Sequence, residues 1–250
     1  MVALTLEACA ETLREQDPDR FGAVLIAAPG DRPKLLTLYA LNLELARAPF
    51  QSNEPMLAEM RLQWWIDRLV EMGDGAAPPL HDVLTPLWDV WGTDAGGLVP
   101  LAESRRRDCS REPFAGPADA LAYVDATAGG LMWAAASALG VPDAARPVVA
   151  DQARGAGLAA WLRALPQLQA LKLGFAADNP ADPARLAEAG REAFGRAAKG
   201  RHAVPRRAAA ALFAGPGAAR FLRQGAGAGI TPFQRRAALA WLALTGRWWL

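Results

Sequence analysis

Two stretches of apolar side chains at helical spacing, separated by a short break, occupy residues 31–72 and constrain the fold more than any other feature. Asp31 can cap the first helix, and Pro33 suits its opening turn. The second helix is predicted to begin at Ser52 or Asn53 and to end at Gly73. The apolar positions are Leu35, Leu36, Tyr39, Leu43 and Ala46 in the first helix and Met56, Leu57, Met60, Trp64 and Leu69 in the second. The short connection and the apolar faces predict that the two helices form an antiparallel pair.

Similar patterns continue along the rest of the chain and predict an all-α protein. Further helices are expected at about 3–15, 21–27, 80–91, 118–139, 144–165, 183–199, 204–213 and 232–248, with a short helix or two between 92 and 117. Together they make about ten helices, which we expect to form a single domain over residues 1–250. Gly129 and Gly130, inside the 118–139 helix, favour close approach by another backbone or a ligand. Small residues in the first half of the 144–165 helix predict tight packing.

Composition excludes several classes of protein. The formal net charge is +1, so no net field would gather phosphates, and this excludes a general nucleic-acid binder. Cys9 and Cys109 are isolated, which argues against a disulfide framework or a zinc knuckle and fits a reducing compartment. No run of about eighteen apolar residues occurs, so we expect no transmembrane segment. Glu7 and Glu11 interrupt the N-terminal stretch, so we expect no signal peptide and a cytoplasmic location.

Five short runs carry a resemblance to a known family. They are Tyr39-Ala40, the Asn-x-Glu-Leu-Ala run of 42–46, Glu54-Pro55-Met56, the Arg61 to Trp65 run and the Tyr-x-x-x-Thr-Ala-Gly-x-Leu-Met run that begins at Tyr123. The sequence resembles the squalene and phytoene synthase family. It is most similar to the branch represented by the mitochondrial complex I assembly factor with a phytoene-synthase-like domain. The resemblance implies a single helical bundle of the isoprenoid synthase type around a central cavity.

The family's chemistry is the head-to-head condensation of two prenyl diphosphates. The resemblance implies that two facing helices each present carboxylates one turn apart, which hold magnesium ions against the diphosphates. On the first helix these acidic positions fall on Ala46 and Phe50, and on the second they fall on Ala164 and Leu168. No Asp or Glu occurs between Asp151 and Asp178 to replace them in a shifted register. We therefore expect the magnesium-diphosphate site to be absent, and we predict no metal and no cofactor.

Polar residues on otherwise apolar helices are the remaining candidates for a site. Glu44 lies among Leu and Ala, and Arg61 and Arg163 lie in similar surroundings, so an ion pair from Glu44 to an arginine on another helix is expected. The alternative is a polar cavity that binds a neutral lipid or an isoprenoid tail. The candidate cavity-lining residues at family motif positions are Tyr39, Asn42, Glu44, Ala46, Phe50, Arg61, Trp65, Tyr123, Arg163, Ala164 and Leu168.

Other polar and aromatic residues are predicted to be structural. Paired carboxylates one turn apart lie opposite the apolar faces of their helices, and His81 and His202 lack a partner at any known catalytic spacing. Core positions are expected for Trp64, Trp88, Trp133 and Trp161. The C-terminal Trp248-Trp249-Leu250 segment has two interpretations, a helix end packed on the bundle or an anchor at a membrane surface.

The resemblance and the missing carboxylates together support three hypotheses about function. The first is a non-catalytic assembly factor for respiratory complex I, whose partner is a subunit or an assembly intermediate of that complex. The second is a protein that binds an isoprenoid or another lipid in the inherited cavity. The third is a prenyl transferase of the phytoene or squalene synthase type with an unusual metal site. Peripheral attachment to the inner membrane stands as an alternative to a purely cytoplasmic location.

Overall fold

The structure is a computed structural model that describes residues 2–176, 183–225 and 229–249, with side chains from residue 6 onward. Its α-helices are α1 (Val2–Gln16), α2 (Pro18–Ile26), α3 (Arg32–Arg47), α4 (Pro55–Gly73), α5 (Leu84–Trp91), α6 (Val99–Glu103), α7 (Arg106–Ser110), α8 (Pro117–Val124), α9 (Gly130–Ala138), α10 (Arg146–Ala170), α11 (Pro183–Gly200), α12 (Ala218–Gln224) and α13 (Pro232–Thr245). Within those described ranges no β-strand occurs, although Phe114 and Phe175 form an isolated parallel bridge. The all-α prediction is confirmed.

Local chemistry sets the starts of the first helices. The carboxylate of Asp17 caps α2 by accepting a hydrogen bond from the backbone N–H of Arg20 at 3.1 Å. Asp31 lies at the N-cap position of α3, as predicted, and it is buried, but its side chain forms no capping hydrogen bond there. Pro33 does lie in the first turn of α3, where its fixed φ favours helix initiation.

Residues Met1–Arg111 form one compact unit. In this unit α3 packs against α1 and α5, and α4 packs against the 3₁₀ turns of Gly92–Leu98. The second contact is backbone against backbone, because a Cβ built on Gly96 would lie only 2.7 Å from the Cα of Gly73. The largest fully buried side chains of the unit include Leu13, Leu35, Leu38, Leu41, Leu45, Leu62, Leu69 and Met72. The core of this unit is therefore built mainly from leucine.

The buried face of α4 differs from the predicted one. The helix begins at Pro55 rather than at Ser52 or Asn53, and the Ser52 hydroxyl instead accepts a hydrogen bond from the N–H of Glu54 at 3.1 Å. The buried side chains are Ala58, Leu62, Trp65, Ile66, Leu69 and Met72. The side chains predicted inside, Met56, Leu57, Met60 and Trp64, are 77%, 42%, 62% and 37% exposed. Of the predicted apolar face, only Leu69 is buried.

Residues Glu112–Leu250 form a second compact unit in which α10 contacts α8, α9, α11 and α12. Two glycines allow these neighbours to approach α10 closely. A Cβ on Gly155 would lie 2.6 Å from the ring of Phe194 in α11, and a Cβ on Gly157 would lie 2.6 Å from the side chain of Val124 in α8. The tight packing predicted from the small residues of this helix is confirmed.

Several helix boundaries in the second unit differ from the predicted ones. The helix expected at 118–139 continues from α8 through a π-helical turn, Asp125–Gly129, into α9. The helix expected at 204–213 is a 3₁₀ helix over Arg206–Ala210. Helix α12 was not predicted, and Gly217 and Gly225, at φ +76° and +71°, bound it. Among the described residues, no helix has both the length and the apolar character needed to cross a bilayer.

Candidate functional site

Two of the predicted site residues on α3 are buried in the first unit. Tyr39 is 4% exposed, and the Arg20 guanidinium lies 5.5 Å from the centre of its ring. Burial raises the pKa of Tyr39 to about 12, so the phenol stays protonated. Asn42 is 6% exposed, and its side-chain oxygen accepts a hydrogen bond from Arg105 Nη2 at 3.4 Å. Asn42 therefore links α3 to the turn that precedes α7, a contact that the sequence analysis missed.

The ion pair predicted for Glu44 is different from the one observed. Glu44 accepts a hydrogen bond from Arg47 Nη1 at 3.1 Å, one turn along the same helix. Arg61 is exposed and donates to Gln51 Oε1 at 2.8 Å. Arg163 is also exposed, with its guanidinium 4.8 Å from the centre of the Phe221 ring. The prediction of a Glu44–arginine pair across helices is wrong, because a nearer cation was available at i+3.

Hydrocarbon side chains occupy the four positions on which the sequence analysis placed the family's metal ligands. Ala46 is half-buried near the end of α3, and Phe50, in the turn that follows, is 48% exposed. Ala164 and Leu168 are half-buried on α10. None of the four carries an oxygen donor, so the residues present do not fit a magnesium ion. Among the residues that the structure describes, no group of three or more His, Cys, Asp or Glu could hold a metal ion elsewhere.

Trp65, from the Arg61 to Trp65 run, is part of an aromatic cluster. It is 6% exposed, and its ring meets the rings of Trp64 and His81 edge to face at centroid distances of 5.0 and 5.2 Å. His81 Nδ1 accepts a hydrogen bond from the N–H of Val83 at 3.1 Å. These contacts give His81 a packing role at the start of α5 rather than a free imidazole for catalysis.

The π-helical turn, Asp125–Gly129, follows Tyr123 and Val124 at the end of α8. The buried Thr127 hydroxyl donates to the carbonyl oxygen of Tyr123 at 2.7 Å. Asp125 accepts two hydrogen bonds from Arg154 on α10, at 2.9 and 2.6 Å. This carboxylate holds the pKa of Arg154 above its ordinary value. The same turn faces Gly157, so the conformation of the Tyr-x-x-x-Thr-Ala-Gly run and the small residues of α10 fit each other. Sequence reasoning missed Arg154 because its partner lies on another helix.

The C-terminal tryptophans pack within the second unit. Trp248 is 2% exposed, and its carbonyl oxygen accepts a hydrogen bond from Gln152 Nε2 at 3.2 Å. Trp249 is half-buried between the guanidinium groups of Arg201 and Arg247, at 5.6 and 5.7 Å. Leu250 lies outside the described residues. The structure thus supports the interpretation of a packed chain end for the part of this segment that it describes.

The helical fold of this chain matches that of proteins of known structure. The whole chain is similar to a dehydrosqualene synthase crystallised with a ligand, with a TM-score of 0.78, 12% identity and coverage of 96% of this chain and 95% of that one. It is also similar to squalene synthase HpnC from Alicyclobacillus acidocaldarius, with a TM-score of 0.70, 15% identity and coverage of 98% and 95%. At these identities the likeness establishes the fold.

The family follows from the sequence itself. A family model described as squalene/phytoene synthase matches residues 13–172, which is more than half of the chain. The chain therefore belongs to the squalene/phytoene synthase family. A search of curated protein sequences found no significant match.

Proposed function

We propose that this chain is a non-catalytic member of the squalene/phytoene synthase family that acts as an assembly factor for respiratory complex I. The observation that supports the first half of the proposal is the hydrocarbon nature of Ala46, Phe50, Ala164 and Leu168, on which the resemblance places the metal ligands. A diphosphate leaving group needs its charge neutralised as the bond to carbon breaks, and in this family magnesium does so. Without carboxylates at these four positions, no magnesium ion would be held there to neutralise the charge of the leaving diphosphate.

No neighbouring acid takes over the metal site on α3 or α10. Glu44 is the only carboxylate within α3, and it is paired with Arg47. The carboxylate within α10, Asp151, accepts two hydrogen bonds from Arg196 Nε and Nη2, at 3.0 and 2.7 Å. Both carboxylates are thus neutralised by an arginine, which supports a structural role for each.

The assembly role rests on the resemblance of the 42–46 and Arg61 to Trp65 runs to the assembly-factor branch. In this chain Asn42 and Trp65 are packing residues of the first unit, so the runs can serve a protein that binds a partner without catalysing a reaction. Deleting the gene in the source organism should lower the abundance of complex I and the oxidation of NADH by isolated membranes. Re-expression of the wild-type chain should restore both, and normal complex I in the deletion strain would refute the proposal.

A second candidate, binding of an isoprenoid or another lipid, is favoured by the same hydrocarbon side chains. A side chain such as Leu168 suits an alkyl chain rather than a hydrated metal. Purifying the protein and extracting it for mass spectrometry tests this candidate. A stoichiometric isoprenoid in the extract supports it, and its absence at every purification scale counts against it.

A further inference from the structure

A cavity of about 630 Å³ lies in the second unit between the C-terminal half of α10, the first turns of α11 and the helix α12. Leu162, Leu165 and Pro166 form its α10 side, and Phe221 and Leu222 form its α12 side. Its volume is within the range of pockets that bind small molecules. None of the functions considered above uses this cavity.

The cavity arises from the way in which α10 and α11 pack. The two helices run antiparallel and touch closely where glycines lie. A Cβ on Gly200 would come within 2.5 Å of Val148, and a Cβ on Gly190 would come within 3.5 Å of Leu158. Beyond these contacts the facing residues of α10 are larger, and Pro166 interrupts the helical hydrogen bonds. The helices cannot stay equally close there, and the space between them is the cavity.

The rim of the cavity is strongly basic. Arg185 and Arg191 on α11 and Arg223 on α12 line it, against one carboxylate from Glu188. Arg191 Nη1 donates to the carbonyl oxygen of Leu222 at 2.7 Å, which fixes this side chain at the edge. All four charged residues are exposed, so their heads reach solvent while the floor beneath them is apolar. An apolar floor under a cationic rim suits a ligand with a hydrocarbon tail and an anionic head.

This cavity differs from the site that the family resemblance implies. Ala164 and Leu168, at the metal positions of α10, do not line it. Leu162, Leu165 and Pro166 lie on another stripe of the same helix, because each residue turns the helix by about 100°. The inference therefore holds whether or not the chain catalyses prenyl transfer.

We propose that this cavity binds an amphiphile with one hydrocarbon chain and a phosphate monoester head group. The tail lies against Leu162, Leu165 and Phe221, where its burial contributes hydrophobic free energy. The phosphate accepts charge-assisted hydrogen bonds from Arg185 and Arg223. The phosphate monoester head is shared by a free alkyl or prenyl phosphate and by phosphatidic acid in a bilayer, of whose two chains one would enter the cavity.

Calorimetric titration of the full-length protein with octyl phosphate, below its micelle concentration, tests the proposal. Octyl glucoside supplies the same tail with an uncharged head, and inorganic phosphate supplies the head alone. We expect octyl phosphate to bind at least about tenfold more tightly than either.

A second experiment uses vesicles of phosphatidylcholine with and without phosphatidic acid to test whether the phosphate head group comes from a membrane lipid. Octyl phosphate binding no tighter than octyl glucoside, together with no preference for phosphatidic acid, would overturn the proposal.

Two variants place the binding in this cavity. The double variant Arg185→Gln, Arg223→Gln removes two exposed charges without touching the core, and it should weaken octyl phosphate binding by about tenfold or more. Ala187→Phe on α11 fills the cavity from its wall and should abolish binding. Arg236→Gln, an exposed arginine on α13 that does not line the cavity, is the control and should bind like the wild type. Unchanged affinity in the double variant would refute the assignment of the site, even if the filled variant failed to fold.

Discussion

Two hydrogen bonds between an amide and an arginine show how burial decides the weight of a single contact. Asn42 accepts from Arg105 inside the first unit, and Gln51 accepts from Arg61 at its surface. The chemistry is the same in both. Removal of the amide deprives a mostly buried guanidinium of one acceptor in the first case, whereas water replaces the acceptor in the second.

Replacing each amide by leucine should separate these two cases. Asn42→Leu is expected to lower the free energy of unfolding by about 1–2 kcal/mol, and Gln51→Leu by less than about 0.5 kcal/mol. Urea unfolding followed by tryptophan fluorescence measures both. Equal losses in the two variants would contradict the structural role assigned to Asn42.

The Cys9 thiol predicts a specific dependence of stability on pH. Burial, with a smaller effect of the Asp82 carboxylate, raises its pKa from 9.0 to about 11. The folded state then holds the thiol proton more tightly than the unfolded state, so this stabilisation is complete below pH 9 and is lost as the pH rises from 9 towards 11. The free energy of unfolding should fall between these pH values by on the order of 1 kcal/mol more in the wild type than in Cys9→Ala. Parallel pH profiles from urea unfolding would exclude this effect.

At the residue scale, sequence reasoning found the motif positions but not their partners. Asn42 and Arg105 are 63 positions apart, and nothing in the spacing of either residue indicates the other. The predicted ion-pair partner of Glu44 is an arginine on another helix, but the observed partner is Arg47, one turn away on the same helix. Contacts within a helix follow from sequence spacing, whereas contacts between helices depend on packing that only the fold defines.

At the scale of elements, glycine decides how closely α10 meets its neighbours. Gly157 faces Val124 and Ala128, at 2.6 and 2.7 Å from the position that a Cβ would take. Gly195 on α11 is also inside a helix, but a Cβ there would meet nothing within 4 Å. The two glycines therefore have the same helix propensity, but an added side chain would clash with its neighbours at Gly157 and would meet no atom at Gly195.

Alanine substitutions at these two glycines should change stability in opposite directions. Gly157→Ala should lower the free energy of unfolding by about 1–3 kcal/mol, because the clash exceeds the gain in helix propensity. Gly195→Ala should raise it by about 0.5–1 kcal/mol. Thermal unfolding followed by circular dichroism gives both values. A stabilising effect at Gly157 would show that α10 and α8 are not packed as described.

Helix α4 shows what the pattern of apolar residues could not determine. Apolar side chains lie along two stripes of this helix. The sequence pattern does not distinguish the stripe with Met56 and Met60 from the one with Leu62 and Ile66. The buried stripe ends at Met72, and the backbone of the exposed Gly73 that follows it contacts Gly96. Helix α12 was missed for a different reason, since its seven residues between Gly217 and Gly225 are too few for a clear helical repeat of apolar side chains.

At the scale of the whole molecule, we propose that the chain folds as one domain although it contains two compact units. The family match extends over residues 13–172 and crosses the boundary between Arg111 and Glu112. Both solved structures match at least 95% of their own length. Differential scanning calorimetry should show a single transition whose calorimetric and van't Hoff enthalpies agree. Two resolved transitions would show that the units unfold independently.

We propose that hydrocarbon has replaced the metal ligands in this chain and that prenyl transfer has been lost. Pyrophosphate release from farnesyl or geranylgeranyl diphosphate with Mg²⁺ tests this proposal, with an active squalene synthase as the positive control. We expect release equal to that of the blank without protein, even at stoichiometric protein concentration. Sustained release together with a C30 or C40 hydrocarbon product would contradict it.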